Sequence, residues 1–165
     1  MHSLRFDTLE TAQAAAFQEG LRQRAVCYVT REATELLVFE HDKSANDAGV
    51  QLPAGGLEPG ETPAQAAARE ALEETGLQTL SAPSYLGSCR WMRRDLGADQ
   101  VWHYFQFSAS AASPNVWTHT VTGGEDDTGM LFHLRFVSLC DPGLTPDFGS
   151  HEYLPELLKR SQELS

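Results

Sequence analysis

The order of elements that the sequence predicts indicates a mixed α/β fold. A helix comes first, then strands, one central helix, more strands and a final helix. β-prone runs at 25–29 and 36–39 flank a polar stretch, which is typical of a hairpin. The central helix begins at Thr62-Pro63 with a cap followed by a first-turn proline, and Gly76 ends it. Strands and helices do not alternate regularly, which argues against a doubly wound parallel sheet.

The remaining elements follow from periodicity and from helix start and stop signals. Asp7 and Glu10 have the spacing of a capping box and Gly20 offers a stop, so a helix is predicted over 8–19. The polar stretch 41–49 is predicted to be a loop. Further strands are predicted at 50–52, 85–92, 101–107, 116–121 and 130–139, and a last helix at 154–161.

Length and composition limit the classes of function. A chain of 165 residues is expected to form one domain, 1–165, in which 1–22 is a helical extension. Twelve basic and 23 acidic residues give a net charge of −11, so nucleic acid and membrane surfaces are unlikely partners. No apolar run is long enough to span a membrane and no secretory signal is evident. Three widely spaced cysteines favour reduced, buried thiols, and the chain is expected to be cytoplasmic.

The central helix carries an unusual cluster of carboxylates. At 100° per residue, Glu70, Glu73 and Glu74 fall within an arc of about 100°, away from the alanine-rich face. Like charges this close repel each other, so the helix alone gains nothing from them. Carboxylate oxygens are the ligands that Mg²⁺ prefers, commonly beside substrate phosphates, and a Gly-rich turn precedes the helix. A solvated acidic helix face is the competing interpretation, but the turn, cap and cluster together favour a metal site.

Residues 55–77 resemble the signature of the Nudix hydrolases, G-x5-E-x7-R-E-U-x-E-E-x-G-U, where U is aliphatic. The resemblance implies an α/β/α sandwich around a mixed β-sheet. It also implies hydrolysis of a pyrophosphate bond in a small nucleoside-diphosphate derivative, with Mg²⁺ or Mn²⁺ as cofactor. The matching positions are Gly55, Glu61, Arg69, Glu70, Ala71, Glu73, Glu74, Gly76 and Leu77.

The resemblance also implies roles for individual residues. Glu70 and Glu74 are expected to bind the metal, with Glu73 as a third ligand or as the base that activates water. The carbonyl of Ala54 or Gly55 would add a contact, Glu61 would support the helix or the metal site, and Arg69 would hold a glutamate in place. In this family the base sometimes lies outside the signature. The acidic turn Glu125-Asp126-Asp127 is therefore a candidate, and an ordinary polar hairpin tip is an equal alternative.

Substrate-binding residues are predicted from basic and aromatic side chains outside the signature. Arg90, Arg93 and Arg94 form the densest basic cluster and could bind phosphate, although a solvated strand end is slightly favoured. Trp102 and Tyr104 alternate on one strand face and could contact a nucleobase, although buried aromatic residues are commoner.

Two other functions remain open. A sensor that binds a nucleotide without turnover is one, although such proteins often lose signature carboxylates that this chain keeps. A pyrophosphohydrolase acting on RNA 5′ ends is the other, and the net charge argues against it. Because Nudix enzymes are often dimers, a homodimer is a further expectation.

Overall fold

The computed structural model describes residues 2–42, 48–92, 98–124, 127–146 and 148–164. Eight strands form one sheet, and three helices pack beside it. The helices are α1 (Leu9–Glu19), α2 (Pro63–Thr75) and α3 (Leu154–Leu164). The strands are β1 (His2–Phe6), β2 (Arg22–Arg31), β3 (Glu35–His41), β4 (Ala54–Gly56), β5 (Ser84–Met92), β6 (Gln100–Ala109), β7 (Val116–Thr120) and β8 (Leu131–Ser138).

The sheet is mixed, as predicted. Its order is β1-β5-β6-β2-β3-β8-β7, and β4 pairs with β2. Among the strands of the described residues, only β2 and β6 pair in parallel, over the whole length of β2. Because β6 covers one edge of β2, β3 and β4 share the other edge: β4 pairs at 24–26 and β3 at 30–31. β3 and β4 therefore pair with different parts of β2, and β4 leads into the loop before α2 near the start of β2.

Alternation along β2 builds two cores, one on each face of the sheet. Ala25 and Cys27 pack with the alanine face of α2, whereas Val26 and Tyr28 pack on the side of Leu157 in α3. Helices thus cover both faces of the sheet, and the predicted α/β/α sandwich is confirmed. Among the described residues, no helix is long and apolar enough to cross a membrane.

The N-terminal segment differs from its prediction as a purely helical extension. Residues 2–6 form β1, which pairs antiparallel with β5. This short strand is held by a partner more than 80 residues away, and its own five residues carry too little pattern to indicate it. The helix that follows is capped by Thr8 with Thr11, and not by Asp7 with Glu10.

The other predicted helices and strands are found in the structure, and two details differ from the sequence analysis. The strand predicted at 50–52 is reduced to a single bridge between Phe39 and Gln51. All three cysteines are free, but only Cys27 and Cys89 are buried, whereas Cys140 is exposed just after β8. Of the loop predicted at 41–49, residues 43–47 lie outside the described residues.

Candidate active site

The helix α2 begins and ends at strong local capping signals, and its buried face carries carboxylates beside alanines. The Thr62 side chain accepts from the backbone N–H of Gln65, and the Gln65 side chain accepts from that of Thr62. Gly76 ends the helix with a φ of 72°, a conformation that favours glycine. The buried alanines pack against the sheet, and Glu70 and Glu74 are buried on the same face, between Ala66 and Ala67 around the helix. The prediction that the carboxylates lie away from the alanines is therefore wrong for these two residues, which line a cleft at the start of β2 and at β4.

Arg69 is the hub of the carboxylate cluster. Its guanidinium donates two hydrogen bonds to the Glu61 carboxylate, at 2.8 and 2.9 Å. It also donates to Glu70 at 2.7 Å, to Glu73 at 3.2 Å and to the Gly56 carbonyl at 3.0 Å. The hydrogen bonds from Arg69 hold the pKa of Glu61 below its ordinary value. One cation thus holds three carboxylates and the Gly-rich turn in a single arrangement.

Glu70 and Glu74 are buried carboxylates, with residues 5% and 3% exposed. Burial raises the pKa of Glu70 above its ordinary value, although Arg69 opposes the shift. Glu74 receives one hydrogen bond, at 3.2 Å from the Ala54 N–H, and forms no ion pair with any described residue. Burial, followed by the charge of Glu70, raises the pKa of Glu74 well above its ordinary value. The cluster therefore holds more buried negative charge than Arg69 alone compensates.

Gly55 is required at the turn because the Glu70 carboxylate occupies the space of a side chain. A Cβ atom at this position would collide with both carboxylate oxygens of Glu70. Gly123 has the same relation to the carboxylate of Glu73. Two glycines from different loops therefore allow backbone to approach the glutamates directly.

The glutamates open into a cleft of about 310 Å³. Ala54, Gly55 and Glu58 line one side of it, and Gly123 and Asp127 contribute from the β7–β8 connection. The same cleft is lined by Arg22 and Arg24 from the start of β2, and neither arginine forms an ion pair within the described part of the chain. Carboxylates at one side and uncompensated guanidinium groups at the other suit a ligand that carries both a metal cation and phosphates.

A family model for the NUDIX domain matches residues 20–154. The chain belongs to the Nudix family. The match begins just before β2 and reaches the first residue of α3, so it includes the cleft and most of the sheet.

Two curated bacterial relatives carry the name RNA pyrophosphohydrolase. The protein of Erythrobacter litoralis is 32% identical over 124 residues, which are 66% of this chain and 76% of the relative. The protein of Bartonella quintana is 36% identical over 116 residues, which are 62% of this chain and 65% of the relative. With the family match, these relatives identify the chain as a Nudix hydrolase acting on acid anhydride bonds.

Solved structures support the same fold. A Nudix hydrolase of M. smegmatis, RenU, has a TM-score of 0.52 at 21% identity, covering 86% of this chain and 87% of that one. The MutT protein of Methanosarcina mazei also has a TM-score of 0.52, at 19% identity, covering 87% and 94%. The Ap4A hydrolase of C. elegans has a TM-score of 0.50 at 17% identity, covering 87% and 97%.

Nudix enzymes generally need a divalent metal cation, and the donor set of this cleft fits one. The oxygens of Glu70 and Glu74 are hard ligands, and a cation would compensate the buried charge that Glu74 holds without an ion pair. Among the described residues, no three His, Cys, Asp or Glu side chains already converge as a metal site. Glu70 and Glu73 instead accept hydrogen bonds from Arg69.

The residues predicted to bind substrate divide into three groups. Trp102 lines a second pocket beside the cleft, and Asp127 lines the cleft itself. Arg90 is not brought to the cleft; it pairs with Glu19 and Asp99 beside α1. Four predicted residues lie outside the described residues, namely Arg93, Arg94, Glu125 and Asp126.

Tyr104 does not reach the cleft, contrary to the prediction. It shares a strand face with Trp102 but lies deeper, fully buried in the core on the α3 side. Its hydroxyl accepts from the Trp91 indole at 2.8 Å and donates to the Gly149 carbonyl at 2.9 Å. Alternation predicted the shared face of the strand correctly, but the loop before α3 packs on both aromatic residues, and only Trp102 lines a pocket.

Arg22 and Arg24 are cleft residues that the sequence analysis missed. They occupy alternate positions at the start of β2, and this alternation in the RQR segment was the available signal. Their position in the cleft depends on the parallel pairing of β2 with β6 and on the approach of β4, which are both long-range contacts.

The edge strand β7 clamps the last turn of α2. The Trp117 indole donates to the Thr75 carbonyl at 2.9 Å. The Glu73 carbonyl accepts a hydrogen bond from the Thr122 N–H at 3.3 Å. It also lies 2.9 Å from His119 Nε2, which donates to it when that nitrogen carries the proton. These carbonyls lack partners within the helix, so the clamp supplies the hydrogen bonds that the helix end needs. Two of the three bonds converge on Glu73.

Replacing His119 by leucine is expected to lower kcat by about 10-fold, because a loss of ~1.4 kcal/mol in the positioning of Glu73 corresponds to that factor. Trp117→Phe removes the hydrogen bond to the Thr75 carbonyl, which also caps the helix end but does not involve Glu73. This variant is expected to lose ~1 kcal/mol of stability, as His119→Leu does, but to keep kcat within about 2-fold of wild type. Steady-state kinetics and thermal melts test the pair. His119→Gln, which restores an N–H donor, should recover most of kcat. Equal losses of kcat in His119→Leu and Trp117→Phe would show that these hydrogen bonds only cap the helix end and do not position Glu73.

Proposed function

We propose that this Nudix hydrolase cleaves a pyrophosphate bond in a small nucleoside-diphosphate derivative, with Mg²⁺ or Mn²⁺ as its cofactor. The observation that carries the proposal is the cleft, which joins buried glutamates to two arginines without ion pairs. A pyrophosphate group carries the negative charge that Arg22 and Arg24 would bind. A nucleotide, a nucleotide sugar or a dinucleotide supplies that group in a molecule of suitable size.

The glutamates of α2 would divide the remaining roles. Glu70, Glu74 and the Ala54 carbonyl would hold the metal, with Glu73 as a further ligand or as the base that takes a proton from the attacking water. The bound cation would neutralise phosphate charge and lower the pKa of water. Arg69 and Glu61 would fix the glutamates in place through the hydrogen bonds described above. Asp127, which also lines the cleft, is the alternative base within the described residues.

A second candidate is the removal of pyrophosphate from RNA 5′ ends. The names of the two bacterial relatives favour it, and the paired arginines could bind a 5′-triphosphate. A net charge of −11 disfavours contacts with the rest of an RNA chain. The same arginines serve a small nucleotide without this cost, so the small-molecule substrate is preferred.

The experiment that tests the proposal is product identification by mass spectrometry. The protein is incubated with Mg²⁺ or Mn²⁺ and a panel of nucleoside triphosphates, nucleotide sugars, ADP-ribose, dinucleoside polyphosphates, NADH, coenzyme A and a 5′-triphosphate RNA. Metal-dependent cleavage of a small member is expected, with chelator abolishing it. Glu73→Gln should lower turnover by about 10²-fold or more, as expected when a metal ligand or base is lost.

The outcomes separate the candidate functions. Preferred cleavage of the RNA, with a rate that falls steeply as salt rises, would replace the small-molecule proposal by the RNA one. Tight binding of one member without cleavage would indicate a nucleotide sensor. Cleavage that is unchanged in Glu73→Gln and without added metal would contradict the proposed site.

A further inference from the structure

A second pocket of about 250 Å³ adjoins the glutamate cleft. The two cavities share Arg22, Arg24 and Ala54, so they are continuous across the two arginines. The parallel pairing of β2 and β6 places Arg22 beside Gln100 and Arg24 beside Trp102. A ligand with phosphates at the arginines would therefore extend either towards the glutamates or into this second pocket.

The second pocket has aromatic walls. The Arg24 guanidinium lies 5.7 Å from the centre of the Trp102 ring, within cation–π range. Phe148, which lines the same pocket, is 39% exposed, whereas Trp102 is 6% exposed. Aromatic and guanidinium planes are surfaces on which nucleobases stack. The walls therefore suit a flat, aromatic ligand group.

Two amide side chains line the pocket with their orientation set by neighbours. The Trp102 indole, which can only donate, bonds to the Gln100 amide oxygen at 2.9 Å. The Ala48 carbonyl, which can only accept, receives the Gln51 amide nitrogen at 3.0 Å. Within the described residues, the Gln100 nitrogen then has no acceptor and the Gln51 oxygen has no donor. The pocket thus offers one free donor and one free acceptor.

We infer that this second pocket binds the nucleobase of the substrate, and that Gln51 and Gln100 recognise its hydrogen-bonding edge. The inference rests on the proposed function and adds to it the part of the substrate that determines specificity. Every nucleobase presents adjacent donors and acceptors along one edge, and each has flat faces for stacking. A sugar has donors and acceptors but no flat face, and a bare phosphate chain has only acceptors, so a nucleobase fits the pocket better than either.

The test is isothermal titration calorimetry with non-hydrolysable probes in the presence of Mg²⁺. The α,β-methylene analogues of ADP, GDP, CDP and UDP are compared with one another, since they differ only in the base, and with methylenediphosphonate, which has neither the ribose nor the base. At least one analogue is expected to bind about 10-fold more tightly than methylenediphosphonate, or better. Gln100→Leu and Gln51→Leu should each weaken that analogue by about 5-fold or more, since unpaired edge groups discriminate strongly, and leave methylenediphosphonate unchanged.

A second variant provides a test that does not depend on loss of binding. Gln100→Glu replaces the free donor by an acceptor and is expected to change the order of affinity among the four bases. The inference is overturned if methylenediphosphonate binds as tightly as every analogue, if no analogue binds, or if the leucine variants weaken all probes alike. Base-dependent binding without hydrolysis of any panel member would overturn the proposed function and leave the pocket assignment standing.

Discussion

Replacing Glu74 by glutamine is expected to stabilise the metal-free protein and to abolish most of its activity. The wild-type carboxylate is buried, has one backbone hydrogen bond and forms no ion pair with a described residue. A neutral amide keeps an oxygen for the Ala54 N–H and, at neutral pH, removes the cost of either binding a proton to the buried carboxyl or burying its charge, which should gain about 1–3 kcal/mol. Thermal melts in chelator should therefore rise by about 2–4 °C for each kcal/mol. Turnover should fall by about 10²-fold or more, as for the loss of a metal ligand.

The pH dependence of stability gives a second measurement on the same variant. Because the folded pKa of Glu74 lies above its ordinary value of 4.5, the folded protein keeps a proton that the unfolded chain has released. This contribution to wild-type stability is complete below pH 4.5 and is lost as pH rises through the folded pKa. In Glu74→Gln, the loss of stability with rising pH that the Glu74 carboxyl causes should be absent. Unchanged melts at neutral pH in chelator, or activity near that of wild type, would contradict the role of Glu74.

The helix α2 and its carboxylate face could be predicted because everything that defines them is local. Thr62, Pro63 and Gly76 mark the ends, and the spacing of Glu70 and Glu74 decides which face they share. The burial of both carboxylates could not be predicted in this way, because it depends on β4 and on the loop that contains Gly123.

Elements held by distant partners could not be predicted in the same way. The strand β1 is stabilised by β5, and the alternation of Leu4 and Phe6 with Ser3 and Arg5 is too short to predict a strand by itself. Arg22 and Arg24 become cleft residues only when β6 and β4 flank the start of β2. Conversely, Arg90 has the charge expected of a phosphate ligand, but Glu19 and Asp99 already pair with it. Residue type and spacing therefore indicated the glutamate cluster of α2 much better than the arginines that line the cleft.

Replacing Arg69 by glutamine is expected to destabilise the metal-free protein by about 2–4 kcal/mol, somewhat less than the ~3–5 kcal/mol for breaking a fully buried ion pair. The guanidinium is 19% exposed and bonds to Glu61, Glu70 and Glu73, so its removal leaves three carboxylates without a cation. Thermal melts should fall by roughly 5–12 °C in chelator. Added Mn²⁺ should restore part of the loss, because a divalent cation compensates the same carboxylates. Turnover should drop by about 10-fold or more as the glutamates lose their orientation.

Arg31→Gln is the matched control for this effect. Arg31 is also largely buried, and it donates two hydrogen bonds to one carboxylate, that of Glu35, at 2.9 and 2.8 Å. It lies at the opposite end of β2 from the cleft, so its loss should lower the melting temperature without changing turnover. Mn²⁺ should raise the melting temperature of Arg31→Gln only as much as that of wild type, because the glutamates and Arg69 are intact in both. If Mn²⁺ raised the melting temperatures of Arg69→Gln and Arg31→Gln equally, the cation would not be replacing the charge of Arg69. A specific rescue of Arg69→Gln would instead identify its three glutamates as the carboxylates that the cation compensates.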